Sequence, residues 1–174
     1  MLRQQVEAAQ RHLSDFLVFP YHRQPHVTLF ACGFWVDSGC YDDDFSNEQY
    51  RAQLRALTTA RLPVFSIEVD GLDSFQSAPY LAVRDPTGGL TQIRSVLSDV
   101  TCEIARSTYT PHVTLGLYSN AFPAATVLER FAVFPSSPVT VEVTHITFAT
   151  YEARHIGGAL RYHEAVALET STLR

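Results

Sequence analysis

The chain contains no apolar run approaching the about 18 residues that a membrane-spanning helix requires. It also lacks a basic cluster: its 13 Lys and Arg are scattered, and its 18 Asp and Glu outweigh them to a net charge of −5. A protein that grips long nucleic acid through many phosphates carries a basic stripe. Its absence disfavours extended duplex and leaves small substrates or the end of an RNA strand. A local patch assembled from Arg23, Arg84, Arg106 and Arg154 is compatible with this balance. Cysteine is scarce: Cys32, Cys40 and Cys102 are odd in number and lack a metal-ligand spacing. They read as reduced thiols in a cytoplasmic protein. Low-complexity segments are missing, and the stretch from Met1 to Gln10 reads as too polar for the apolar core of a signal peptide. With 46% hydrophobic and 18% charged residues, the composition is that of one ordinary globular domain spanning 1–174.

What the chain does have is an internal repeat. Pro25-His26-Val27-Thr28-Leu29 recurs letter for letter as Pro111-His112-Val113-Thr114-Leu115. Leu13-Ser14-Asp15 precedes the first copy and Leu97-Ser98-Asp99 the second, each ending a segment with helical apolar spacing. Helical segments follow at Asn47–Leu62 and Ala124–Val133, then alternating β-branched segments at Phe65–Asp70 and Thr140–Thr144. Strand candidates at Tyr80–Val83 and Tyr162–Leu168 close the two halves, 1–86 and 87–174, which meet at the turn-rich Asp85-Pro86-Thr87-Gly88-Gly89. The expected fold is α+β: two related halves packed about a pseudo-two-fold axis.

Both pentapeptides favour strands. On a strand, residues two apart share a face. His26, Thr28 and Phe30 would then line one side, as would His112, Thr114 and Gly116, with Val27, Leu29, Val113 and Leu115 turned to the core. Two such imidazole and hydroxyl pairs facing each other suit phosphodiester chemistry. One neutral imidazole takes a proton from the attacking oxygen, while the other, protonated, supplies one to the departing oxygen. The threonine hydroxyls donate to the non-bridging oxygens, where charge builds. This scheme calls for no metal and no cofactor. A single His-x-Thr says little; two identical copies at matched points of a repeat say much more.

Other candidates weigh less. His145-Ile146-Thr147 lacks the proline and belongs to a later strand, and His22, four residues before His26, has no third ligand for zinc. His12, His155 and His163 read as surface or sheet histidines, and Gly157-Gly158 as a turn rather than a flexible cleft rim. Asp42-Asp43-Asp44 reads as a solvated loop. Phe30 and Tyr118 fall on the catalytic face by period two and are candidates for stacking on a base, with Trp35 and Tyr80 as further ones. Tyr109 either reaches the cleft or plugs the lobe.

The paired motifs resemble the signature of the two-histidine phosphoesterase superfamily, which includes the 2′,5′-RNA ligase-like proteins and the cyclic nucleotide phosphodiesterases. The resemblance covers most of the chain. It implies a bilobal fold, with two antiparallel sheets flanking a central cleft and helices outside. It implies His26 and His112 as the acid/base pair, and Thr28 and Thr114 as phosphate ligands. It implies as substrate a nucleotide cyclic phosphate or an RNA 3′ end, opened by hydrolysis or joined in a 2′,5′ linkage, by a monomer. Many relatives have a strand before the first helix; here the first half begins almost at once with its helix. A non-catalytic module binding nucleotides or RNA ends in the same cleft is the alternative.

Overall fold

In the computed structural model, residues 1–104, 108–135 and 137–170 are described. The elements follow in the order α1 (Leu2–His12), β1 (Phe34–Val36), β2 (Asp44–Ser46), α2 (Asn47–Ala60), β3 (Phe65–Ser74), β4 (Pro79–Arg84) and α3 (Gly89–Ser98), then β5 (His112–Thr114), α4 (Ala124–Ala132), β6 (Val139–Val143), β7 (His145–Thr150) and β8 (Arg161–Ala167). The helix positions match the apolar spacing. Val6 and Ala9 form the buried stripe of α1, continued by Leu13 just past its end, and Leu90, Ile93 and Leu97 form that of α3.

Local chemistry sets the boundaries. Ser46 and Gln49 start α2 with a reciprocal capping box: Gln49 N donates to Ser46 Oγ at 3.3 Å and Ser46 N donates to Gln49 Oε1 at 2.8 Å. Arg61, in the left-handed region, closes that helix. The Asp85–Gly89 turn starts α3, because the Asp85 carboxylate accepts from Gly89 N at 3.0 Å and Leu90 N at 2.8 Å. This satisfies two of the helix's orphan amides. The turn is also where Gly89 must stay small, since a Cβ there would sit 2.4 Å from the Phe65 ring.

The main sheet is antiparallel, with order β5-β4-β3-β6. Phe65, Ile67 and Val69 alternate inward along β3, as period two requires. β7 and β8 form a second antiparallel pair, and β1 lies parallel to β2. The main sheet draws β3 and β4 from the first half of the sequence and β5 and β6 from the second, so the repeat halves and the sheets are not the same units. The core runs between this sheet and the helices, with Val69, Leu81, Val113 and Leu115 almost fully enclosed. Leu81→Ala is expected to cost about 2–5 kcal/mol, read from the denaturant midpoint, because the cavity left at the sheet's centre cannot collapse.

The two pentapeptides differ in structure. The second forms β5, hydrogen-bonded to β4 with Leu81 opposite Val113 and Ala82 opposite His112. The first is no ladder strand, contrary to its sequence, and makes a single antiparallel bridge, Val27 to Val113. Side chains satisfy its backbone instead. Arg94 Nη1 donates to Leu29 O, Tyr109 Oη donates to Thr28 O at 3.2 Å, and Ala31 N donates to Glu103 Oε1 at 2.9 Å. Arg94 and Glu103 are themselves ion-paired at 2.7 Å, and the guanidinium stacks on the Tyr109 ring, 3.9 Å from its centroid. Tyr109 is therefore a structural plug, and its burial beside this pair pushes its phenol up to about 12.

Candidate active site

The bridge between Val27 and Val113 fixes how the repeats meet. Extending that antiparallel register by one residue sets His26 opposite Thr114 and Thr28 opposite His112. All four then lie on the face away from the two valines. His26, Thr28 and Thr114 line one cavity, and His112 stands two residues before Thr114 on β5, on the same side of that strand.

Each imidazole is anchored the same way. His26 Nδ1 donates to Gln24 O at 2.8 Å, and His112 Nδ1 donates to Thr110 O at 2.6 Å. A carbonyl can only accept, so in both rings Nδ1 carries the proton. In the neutral form Nε2 is then the free basic nitrogen. The pattern follows from the sequence, because the proline at 25 and at 111 keeps the preceding residue extended and its carbonyl beside the ring.

The surroundings are less symmetrical. A cavity of about 360 Å³ is lined by His26, Thr28 and Thr114 together with Tyr21, Arg23, Leu117, Tyr151, His155 and Gly157, among others. His112 is not part of that wall. Its ring lies edge-on to Phe75 at 4.8 Å and tilted against Tyr80 at 5.3 Å, and Tyr80 Oη donates to Asp73 at 3.0 Å. Tyr80 is thus buried packing behind His112. Burial holds His26 below the ordinary imidazole value of 6.5; the positive charges of Arg23 and His112 act in the same direction, against the opposing pull of the Gln24 carbonyl.

Other expected residues lie elsewhere. Phe30 is half-buried against the core, with the Arg94 guanidinium 6.0 Å from its ring. Tyr118 packs on the core and Phe122, and its hydroxyl pairs with Ser74 Oγ at 2.7 Å. Neither lines the cavity: Phe30 follows the first motif, which is no ladder strand, and Tyr118 lies beyond the regular strand that ends at Thr114. The space over Gly116 is taken by Leu17, whose side chain would lie 3.3 Å from an added Cβ. Trp35 stacks on Tyr50 and His163, away from this wall. His145 sits exposed on β7; His163 bonds Thr150 Oγ1 at 2.8 Å, and His12 bonds Arg130 O at 2.8 Å between helices. Arg84 pairs with Glu68 and Asp70 on β3, Arg154 is exposed in the turn whose Ala153 and His155 line the cavity with Arg23, and Arg106 lies outside the described residues. Among the described residues no three His, Cys, Asp or Glu are grouped to hold a metal ion, and the three cysteines are free.

The loop before β8 is the cavity's outer wall, a role its glycine turn alone did not reveal. His22 N donates to Gly157 O at 3.0 Å, and Gln24 exchanges side-chain bonds with the Leu160 backbone at 3.2 and 2.7 Å. Gly157, at φ 73°, packs flat on Tyr21, whose ring would lie 2.7 Å from a Cβ. Gly157-Gly158 is therefore both a turn and a rim, pinned to the segment leading into the first motif.

The family model described as the 2′-5′ RNA ligase superfamily matches residues 1–155. The chain belongs to this superfamily. The fold agrees: E. coli LigT complexed with 3′-AMP aligns at TM-score 0.58 and 19% identity, over 95% of this chain and 91% of LigT. A second crystal structure described as a phosphoesterase aligns at 0.58 and 18% identity, over 95% and 91% of the two chains. TT0787 of Thermus thermophilus aligns at 0.59 and 14% identity, over 98% and 93%. Other crystal structures of LigT hold ATP and NADP+. No curated protein matches the chain in sequence. At these identities the structures establish the superfamily's mixed α and β architecture with antiparallel sheets. Among the described residues no helix is long and apolar enough to cross a membrane.

Proposed function

We propose that the chain is a metal-independent phosphodiesterase acting on a 2′,3′-cyclic phosphate at a nucleotide or an RNA end, with His26 and His112 as its acid/base pair. The observation that carries this reading is the shared anchoring of the two rings across the Val27–Val113 bridge, each with Nδ1 donated to its own chain and Nε2 left for substrate. His26 is the base, because burial and the nearby cations favour its neutral form. Its Nε2 takes a proton from water as the oxygen bonds to phosphorus. The bond from phosphorus to one ribose oxygen breaks, and His112, protonated, delivers its proton to that oxygen. Thr28 and Thr114 donate to the non-bridging oxygens as their charge grows. With a 5′-hydroxyl in place of water, the same forward steps make a 2′,5′ linkage as the bond from phosphorus to the 3′ oxygen breaks, and their reverse cleaves that linkage. The superfamily assignment and a cavity wide enough for a nucleotide support this substrate class.

The direct test incubates the protein with nucleoside 2′,3′-cyclic phosphates in excess EDTA. A nucleoside monophosphate should accumulate; turnover that needs added zinc, or none after a day, would refute the proposal. The depressed His26 value gives the pH dependence its sign. The base stays neutral to lower pH than an ordinary imidazole, so the acidic limb of kcat/KM should fall below pH 6.5. A limb clearly above that value in a pH–rate series would assign the base elsewhere.

A further inference from the structure

We infer that Arg23 is a phosphate-binding residue of the cleft, held ready by Tyr151 and the Gly158 carbonyl; the inference rests on the phosphoesterase reading of the same site. Among the described arginines, Arg23, Arg94 and Arg130 are half-buried. Arg94 is paired with Glu103 at 2.7 Å and Arg130 with Asp15 at 2.8 Å. Arg23 has no carboxylate partner among the described residues, yet it stands in the wall of the cavity with His26, Thr28 and Thr114. Taking a guanidinium partly out of water without a counter-charge is unfavourable, and a cation kept so in a cleft is suited to an anionic ligand.

The guanidinium is also preorganised. Its Nε donates to Gly158 O at 3.1 Å, and its carbon lies 4.0 Å from the Tyr151 ring centroid. One edge of the planar group is thus occupied and one face covered. Both terminal NH₂ groups remain, in the forked arrangement that matches two phosphate oxygens. The ligand class is a phosphate ester dianion or diester. It is either the reacting phosphate or the next phosphate of the substrate chain, since three positions of backbone place Arg23 at most about 10 Å along the chain from His26.

The test measures inorganic phosphate binding by titration calorimetry and cyclic-phosphate kinetics on one set of variants. Arg23→Gln should weaken phosphate binding by about tenfold or more, as loss of a charge-assisted bond requires, and Arg23→Lys should recover part of it. Gln24→Ala breaks the other side-chain tie to the loop without removing charge, so it should cost markedly less. Unchanged affinity in Arg23→Gln, or a loss matched by Gln24→Ala, would overturn the inference and make Arg23 a loop fastener. Should Arg23→Gln fail to fold, Arg23→Lys and Gln24→Ala decide: a loss in Arg23→Lys larger than in Gln24→Ala supports the inference, and a loss no larger overturns it. Comparing a nucleoside 2′,3′-cyclic phosphate with its 5′-phosphorylated form assigns the phosphate. A KM penalty on both marks the reacting group, and a penalty on the second alone marks its neighbour. Phosphate binding that behaves as expected in a protein without turnover would sink the enzymatic reading and leave Arg23 standing.

Discussion

Replacing His26 or His112 with alanine is expected to lower kcat on a 2′,3′-cyclic nucleotide by about 10²–10⁴-fold, the range a positioned acid or base supplies. The double variant should be little worse than either single one. In the proposed mechanism the two groups act in one concerted displacement, and losing either leaves the other with no partner step. Nucleotide product followed by chromatography gives the rates. The fold should survive, because both residues are only half-buried, and circular dichroism checks this. Additive losses, or one histidine that can be removed without effect, would mean that the repeats do not share a reaction centre.

The second large effect concerns the hydroxyls. Thr28→Val and Thr114→Val preserve shape and β-branching and remove only the donor. Each is expected to lower kcat by about 10²-fold, in line with the loss of one preorganised donor to a developing anion. KM should move less, because the charge they stabilise peaks in the transition state. Similar losses at both positions would reflect matched roles for the two hydroxyls, which share one cavity wall. A rise in KM with kcat intact would instead give the hydroxyls a role in ground-state binding.

Much of this was legible because the duplication concentrates chemistry at matched positions. The identical pentapeptides identify two histidines and two threonines, and the apolar spacing of α1 and α3 locates their helices. The remainder depended on contacts between distant segments. Nothing local in Pro25–Leu29 reveals that its backbone is held by Arg94, Glu103 and Tyr109 rather than by a ladder. Period two carries Tyr118 onto the catalytic face only if the strand continues past Thr114. Instead Val18 N donates to Leu117 O at 2.9 Å and Leu17 pairs with Tyr118, drawing the chain into another contact. Arg23 had only a place in a scattered basic group; its distinction, being half-buried without a carboxylate partner among the described residues, is a property of the folded surface. Likewise the sheet that mixes strands from both halves follows from pairing over long range, to which a repeat in sequence is blind.

Soaking crystals of the protein with inorganic phosphate interrogates the reaction centre most directly. An anion within hydrogen-bond distance of Nε2 of both His26 and His112, and of the Thr28 and Thr114 hydroxyls, is the result this mechanism predicts. An anion bound elsewhere, or two rings turned so that no single phosphate can touch both, would contradict it.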